Sequence, residues 1–336
     1  MRNSILIVTN SGDLHADLVV PILAAKGHRP FRIDLDAFPR DYQCVQTFEA
    51  AQVRQRIRRL NDDDDWLDLD EVGAVWLRKA AEFAYRSEEL APQERAFAKL
   101  ETEQALFSLL YNLDCYWISH PRVLRGAQWK GEQLKRAMRL GFRVPASIVT
   151  NSADEARQFL RALDGRKIFK TMSSPTLAAE TLAPEQRIAG GLGTVLVEDT
   201  MLAQLDAVDE MFCHFQEYVP KQYELRVTVI GDRVFAARID SQLDARTMVD
   251  SRNMSAEIPY AATRLPQDVE QRCVDFVHSY GLEYGALDLI VTPGDEYVFL
   301  ENNPGGQFLY VEQLIPEFKM LEAMADQLIA GAACRR

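Results

Sequence analysis

Cysteine is scarce in this 336-residue sequence, and the spacing of the cysteines is not typical of disulfide or metal sites. The five cysteines are far apart and include no CxxC pair: Cys44, Cys115, Cys213, Cys273 and Cys334. A disulfide framework or a zinc site needs cysteines at characteristic spacings, so neither is expected here. We expect ordinary reduced thiols.

Long apolar runs and an excess of positive charge are also missing. No apolar run approaches the roughly 18 residues of a membrane helix. The opening MRNSILIVTNSGD turns polar after a short apolar run, unlike a secretory signal. The net charge of −12 disfavours non-specific binding to nucleic acid or to an anionic membrane. We therefore expect a cytoplasmic protein with neither of these partners.

The first third of the chain alternates between strand and helix patterns. ILIVT reads as a strand, the residues from Leu14 to Ala25 are apolar at helical spacing, and FRIDLDAFP follows Gly27. A further strand (72–77) and a long helix (91–113) come next. This order predicts an open α/β domain over residues 1–120.

The remaining chain divides into two units, 121–210 and 211–332. The first has helical patterns, short strands and a stretch of small residues from Ser173 to Gly193, which predicts a mobile loop. The second has two hairpin patterns, one with Gly231-Asp232 at its tip.

The second hairpin, DLIVTPGDEYVFLENNPGGQF, carries an unusual set of polar residues. With Gly294 and Asp295 as central turn residues, Asp288 pairs with Glu301, and Asn303 lies on the same face. Opposed carboxylates repel each other unless something holds them together. Mg²⁺ prefers such oxygen ligands, so the hairpin indicates a metal site. The alternative is a turn placed elsewhere, with both acids exposed.

Four other residues suit a nucleotide. Lys170 ends the strand RKIFK just before the small-residue loop, and Lys130 lies near a helix start. Glu224 and Arg226 share one strand face, where a carboxylate fits ribose hydroxyls and a guanidinium fits a phosphate. The ordinary alternatives are a surface lysine for Lys130 and an ion pair between Glu224 and Arg226.

The order of these residues resembles that of an ATP-grasp enzyme, most closely the microviridin-type ribosomal-peptide macrocyclases (the MvdC/MvdD, or graspetide, family). The resemblance spans nearly the whole chain. It rests on ILIVTNSGD with FRIDLDAFP, on FQEYVPKQYELRVTVIGDRVFAARIDSQ, and on the hairpin segment above; the last two are specific. It implies an ATP-grasp fold of the α/β (α+β) class, with an N-terminal open α/β domain, a central subdomain carrying the mobile phosphate loop, and a C-terminal subdomain carrying the magnesium site.

The resemblance also implies ATP and Mg²⁺ as cofactors and assigns the site residues. The roles are phosphate contacts for Lys130 and Lys170, the adenine-binding connection for Gln216, Glu217, Tyr218 and Val219, ribose binding for Glu224, stabilisation of the transferring phosphate for Arg226, and Mg²⁺ binding for Asp288, Glu301 and Asn303.

One departure concerns a second catalytic arginine. RimK-like ligases have one where this chain has Asp240. Arg238 is nearby, but regular pairing places it opposite Leu225, on the face away from Arg226. Arg252, in RTMVDSR, resembles an arginine of the macrocyclases and is favoured; the alternative is a loop arginine paired with Asp250.

The implied function is ATP-dependent macrocyclisation of a ribosomal precursor peptide with a leader and an acidic core. Asp or Glu side chains would be activated as acyl-phosphates and joined to Thr/Ser hydroxyls or Lys amines. The family also implies a homodimer, and Arg78 and Lys79 would attract the acidic core unless they are an ordinary basic pair at a strand end. The alternatives are a ligase of the RimK or glutathione-synthetase type, which adds an amino acid or small amine to a carboxylate, and a nucleotide-binding regulator without catalysis.

Overall fold

The computed structural model describes residues 3–50, 52–60, 66–173, 193–252 and 256–334. The predicted mobile loop therefore lies, apart from its two end residues, outside the described residues. The strands are β1 (Ser4–Thr9), β2 (Arg29–Asp34), β3 (Tyr42–Glu49), β4 (Gln52–Arg59), β5 (Leu67–Asp68), β6 (Val72–Leu77), β7 (Tyr116–Ile118), β8 (Ser147–Thr150), β9 (Lys167–Lys170), β10 (Val195–Leu196), β11 (Cys213–Glu217), β12 (Tyr223–Ile230), β13 (Arg233–Ile239), β14 (Tyr260–Thr263), β15 (Tyr284–Val291) and β16 (Tyr297–Asn303).

The α-helices are α1 (Leu14–Ala25), α2 (Pro92–Tyr111), α3 (Pro121–Ala127), α4 (Lys130–Arg139), α5 (Ala153–Ala162), α6 (Asp199–Leu202), α7 (Gln267–His278), α8 (Leu309–Leu314) and α9 (Met320–Cys334). Together with the strands they confirm the expected mixed α/β class. In the described part of the chain, no helix combines the length and the apolar character needed to cross a bilayer.

The first sheet is parallel, with the order β2-β1-β6-β7. Its central strand is buried on both faces, as parallel sheets usually are. Ile5 and Ile7 pack towards α1 and α9, whereas Leu6 and Val8 pack towards α2. Helix α1 begins at Leu14 because the Asp13 carboxylate accepts a bond from the backbone N–H of His15. A separate antiparallel sheet, β3-β4-β5, follows β2 and was not predicted from the sequence.

The second sheet is antiparallel, with the order β10-β9-β11-β8. One face packs against α5 through Phe215 and Leu160. The sequence had assigned β11 to the unit that begins at residue 211. Because β11 pairs with both β8 and β9, the structure moves this strand into the central sheet.

The third sheet, β14-β13-β12-β15-β16, is antiparallel and carries the predicted hairpins. One face is apolar and packs on α7, with Val227, Leu289 and Phe299 against Phe276. On the other face, Ile230 and Ala286 pack against Met324 of α9, which also contacts the first sheet. The polar residues Glu224, Arg226 and Asp288 continue this second face beyond the apolar cluster.

The predicted turn of the β15–β16 hairpin is wrong by one residue. Val291 pairs with Tyr297 across the five residues from Thr292 to Glu296, among which Asp295 adopts φ 58°. A bulge at Leu300 then shifts the register, so that Asp288 still pairs with Glu301. The predicted pair is thus confirmed, although the turn that was used to derive it is not.

The C-terminal segment forms two α-helices with a break between them. Helix α8 ends at Leu314, a 3₁₀ turn covers Pro316–Phe318, and Lys319 adopts φ 47° before α9 begins. Proline and a left-handed residue cannot continue an α-helix, which explains the break.

Candidate active site

Three charged side chains form a row across the third sheet. Arg226 on β12 pairs with Asp288 on β15, and Asp288 pairs with Glu301 on β16. The Arg226 guanidinium lies 2.8 and 3.1 Å from the two Asp288 oxygens. Asn303 donates from Nδ2 to Asp288 at 3.2 Å. The structure therefore brings the predicted metal ligands together and adds Arg226 beside them.

The two carboxylates of the row have opposite electrostatics. Burial raises the pKa of Asp288, and the charge of Glu301 adds to this, although Arg226 opposes it. Burial alone would raise the pKa of Glu301 too, but Lys170, Lys130 and Arg252 outweigh it and lower that pKa. Glu301 is thus the carboxylate that the surrounding cations hold ionised.

Lys130 reaches Glu301 from the start of α4. Its ammonium lies 3.2 Å from Glu301 and donates to the Thr171 carbonyl at 2.8 Å. Gln133, one turn later, fixes the helix on the sheet: it donates to the Asn302 carbonyl at 2.8 Å and accepts from the Asn302 N–H at 2.9 Å. Lys130 is therefore not an ordinary surface lysine in this structure, because its ammonium contacts Glu301 and the Thr171 carbonyl.

The two candidate second arginines behave differently. Arg252 makes two bonds of 2.8 Å to Asp250 and lies 3.9 Å from Glu301. The predicted pair with Asp250 is present, and it leaves Arg252 beside the predicted metal ligand Glu301. Arg238 pairs with Leu225 in the ladder, as predicted, and its guanidinium stacks 4.1 Å from the Tyr223 ring, away from Arg226.

Glu224 is held by two neighbours. Lys221 donates to one oxygen, and the Ser251 hydroxyl donates to the other at 2.9 Å. Ser251 belongs to the same segment as Arg252, so one stretch of backbone connects the predicted ribose and catalytic positions. The alternative of a Glu224–Arg226 ion pair is not what the structure has, since Arg226 bonds to Asp288.

The predicted adenine connection runs along β11 and joins the second sheet to the third. The N–H of Glu217 donates to Ala146 at 2.8 Å, and that of Tyr218 donates to Arg166 at 3.0 Å. Gln216 donates to the Ser147 hydroxyl at 2.8 Å. Val219 packs on the third sheet, in a small apolar cluster with Ile290 and Val298.

Lys170 and His214 lie side by side on the remaining face of the second sheet. They are register partners, and each is at most 9% exposed. Burial lowers the pKa of Lys170. Burial and the charges of Lys170 and Lys130 lower the pKa of His214 to about 4. Sequence reasoning named Lys170 and missed His214, for which the one signal was its place two residues before Gln216.

A second histidine, also missed, supports the loop beneath Arg226. His15 Nε2 accepts from the backbone N–H groups of Phe308 and Leu309, at 3.1 and 3.0 Å. Its proton is therefore on Nδ1, which faces Asp13 at 3.4 Å. The same loop offers the Gln307 carbonyl to Arg226 at 3.4 Å. His15, on α1, thus connects the N-terminal domain to the loop that contacts Arg226.

Arg78 does not face a substrate in this structure. It makes two bonds to Asp13, at 3.1 and 3.2 Å, and its side chain is only 3% exposed. Burial alone would raise the pKa of Asp13, but the bonds from His15 and Arg78 outweigh it and lower that pKa. Lys79 also points to Asp13, at 3.6 Å, and is one-third exposed. The expectation that Arg78 attracts an acidic peptide is therefore wrong.

The oxygen donors fit a hard divalent cation. Two carboxylates and one amide suit Mg²⁺, which normally takes few protein ligands and completes its shell with phosphates and water. Across the described ranges, no group of three or more His, Cys, Asp or Glu side chains is placed to hold a metal by itself. The set is thus better matched to a metal–nucleotide complex than to a metal alone.

Comparison with known proteins identifies the family. A profile described as the MvdD pre-ATP grasp domain matches residues 4–125. A RiPP-associated ATP-grasp ligase from Chryseobacterium gregarium, solved with ADP and a leader and core peptide, is 30% identical over 98% of this chain and 97% of that one, with a TM-score of 0.88. The chain belongs to the RiPP-associated ATP-grasp ligases.

Two further RiPP-associated ATP-grasp ligases extend the comparison. The macrocyclase MdnC from Microcystis aeruginosa MRC, solved with its precursor peptide MdnA, is 28% identical, covers 97% of this chain and 99% of its own, and has a TM-score of 0.83. The ligase PsnB, solved with a variant precursor, Mg and ADP, is 24% identical over 98% of both chains, with a TM-score of 0.73, and shows the fold. A search of curated protein sequences found no match.

Proposed function

We propose that this protein is an ATP-dependent macrocyclase of a ribosomally made precursor peptide. The observation that carries the proposal is the row of Arg226, Asp288 and Glu301, with Lys130 and Lys170 above it. Carboxylate activation by ATP needs cations around a transferring phosphoryl group and oxygen ligands for its metal. The full-length similarity to a peptide-modifying ligase supports a peptide as the substrate.

The chemistry follows from the poor reactivity of carboxylates. At neutral pH a carboxylate would have to expel oxide, whereas its acyl-phosphate expels phosphate. In the proposal, an Asp or Glu side chain of the peptide attacks the γ-phosphorus of ATP, and ADP leaves. A Thr or Ser hydroxyl, or a Lys amine, then attacks the acyl carbon, phosphate leaves, and each bond formed costs the peptide one water.

This chain's residues would divide the work as follows. Asp288, Glu301 and Asn303 would hold Mg²⁺, which when bound neutralises phosphate charge and orients the triphosphate. Arg226 would face the transferring group, held in place by Asp288 and by the loop below it. Arg252 would supply the second positive charge, because Arg238 lies on the face away from Arg226 and cannot supply it.

The nucleotide would lie between the second and third sheets. In this proposal the connection 216–219 holds the adenine, and Glu224 exchanges its bond from Ser251 for the ribose hydroxyls. The three proposed units are residues 1–120, 121–210 and 211–332, and β11, at the start of the third, pairs within the sheet of the second. We also propose a homodimer, which light scattering would test directly.

Mass spectrometry of a precursor peptide encoded beside the gene tests the proposal. After incubation with protein, ATP and Mg²⁺, we expect the peptide to lose one water per bond with no mass added. Asn303→Ala should abolish this loss, whereas Glu296→Gln, on the same hairpin but 59% exposed, should not. A gain of amino-acid mass would instead establish the RimK-like ligase.

A further inference from the structure

His214 has no hydrogen-bond partner that would explain its burial. It is 3% exposed, and both ring nitrogens are buried without a partner in the described part of the chain. Buried polar atoms almost always have partners, because an unpaired one loses its bonds to water without replacement. A core histidine that served packing alone would normally bond to a neighbouring backbone group.

Its neighbour Lys170 is a second buried polar residue on the same face of the sheet. The two residues pair across β9 and β11 and are both buried. Within the described residues, the Lys170 ammonium makes no hydrogen bond or ion pair. Two adjacent buried side chains therefore have unused bonding capacity on one face of the sheet. The opposite face is filled by Phe169 and Phe215, whose rings lie 5.6 Å apart.

The position along β11 indicates which part of a nucleotide His214 would meet. Glu217, in the connection assigned to adenine, is three residues away, or about 10 Å along a strand. The charges that act on the His214 ring are those of Lys170, Lys130 and Glu301. These groups surround the proposed phosphates, so His214 lies at the phosphate end of the cleft.

The ring is suited to bind an anion without adding charge. With a pKa of about 4 it is neutral at pH 7 and carries one N–H donor. A donor to an ionised phosphate oxygen forms a short, strong bond, particularly away from water. Lys170 would contribute the positive charge beside it.

We propose that His214 is a nucleotide-binding residue, whose ring N–H donates to a phosphate oxygen of ATP beside Lys170. This inference rests on the proposed function, because it assumes that ATP occupies this cleft. It adds a phosphate contact from the central sheet to those assigned to Lys130 and Lys170.

The test uses His214→Leu and measures stability and binding separately. Removing two unpaired buried nitrogens should leave the Tm of the nucleotide-free protein unchanged or raise it. Calorimetric titration should show ATP and ADP binding about 10- to 100-fold more weakly, the equivalent of one charge-assisted bond. Adenosine, which has no phosphate, should bind as before. His214→Gln keeps an N–H donor and should recover part of the loss.

His278→Leu is the matched control, since His278 lies on α7 and bonds to the Gly231 carbonyl, away from the cleft. It should leave ATP affinity unchanged. The inference is overturned if His214→Leu binds ATP as tightly as the unmodified protein, whatever its Tm; a lowered Tm with normal ATP binding would make His214 a packing residue. It is also overturned if the substitution weakens adenosine binding as much as it weakens ATP binding. If the unmodified protein binds no ATP, the proposed function itself fails.

Discussion

His15 gives the sharpest test of how α1 supports the candidate site around Arg226. In His15→Leu, the N–H groups of Phe308 and Leu309 lose their acceptor in a region where both side chains are buried. Each unsatisfied buried donor costs about 1–3 kcal/mol. Asp13 retains its bonds from Arg78 and Thr9 and so adds little. The expected loss in the free energy of unfolding is therefore about 2–6 kcal/mol.

The substitution should also change catalysis in a specific way. The loop that His15 holds carries the Gln307 carbonyl that Arg226 contacts, whereas Lys130 and Lys170 lie on other elements. The kcat for ATP turnover should fall. The Kd for ATP should stay within about twofold of the unmodified protein's value, a change in binding free energy well below the 1.4 kcal/mol that corresponds to tenfold.

Urea unfolding followed by circular dichroism gives the first quantity, and steady-state kinetics with calorimetry gives the others. His15→Gln can still accept through its amide oxygen and should recover part of both losses, while His28→Leu controls for histidine removal elsewhere. The reasoning is refuted if the free energy of unfolding of His15→Leu lies within about 0.5 kcal/mol of that of the unmodified protein, because surface substitutions ordinarily change it by that much. An effect on ATP affinity with kcat preserved would refute the second part.

Three other predictions concern the row and its surroundings. Gly306→Ala should lower kcat with ATP binding retained, because its Cβ would lie 2.9 Å from the Arg226 guanidinium. Arg252→Met should reduce ATP turnover at least tenfold, whereas Arg238→Met should change it little; equal losses in the two kinetic assays would contradict the assignment. Burial lowers the pKa of His214 from 6.5 to about 4, so the unfolded chain binds more protons between these values. The contribution of His214 to the free energy of unfolding should be constant above pH 6.5, and that free energy should fall by roughly 3 kcal/mol as the pH is lowered towards 4. Urea unfolding at a series of pH values should show this slope in the unmodified protein and not in His214→Leu.

Elements with a clear period were predictable from the sequence. Helix α1 and strand β6 have the predicted bounds, because apolar residues recur at 3.6-residue spacing in one and fill the other continuously. The β3–β4 hairpin was missed because QVRQRIRR alternates only weakly: Gln55 and Ile57 are buried, but the intervening positions are arginines. A strand at the edge of the core has little hydrophobic signal to read.

The site was predictable where one segment holds the whole pattern. Asp288, Glu301 and Asn303 lie on a single hairpin, so local pairing was enough to bring them together, even with the turn misplaced. His15 was not predictable, since its partners Phe308 and Leu309 are 293 and 294 residues away in the chain. Contacts of this kind depend on how separate sheets pack together, and the spacing of apolar residues along the sequence does not determine that packing.

Glu301 is where the charge balance of the site is decided. Lys130 and Arg252 lie 3.2 and 3.9 Å from its oxygens, and Lys170 also lowers its pKa. Phosphates would compete with Glu301 for these same cations, and a carboxylate released from them is a better ligand for Mg²⁺. In the proposed site, phosphate binding and metal binding would therefore be coupled through the Glu301 side chain. Removing one cation from this cluster, in a protein of net charge −12, should therefore weaken phosphate binding and metal binding together.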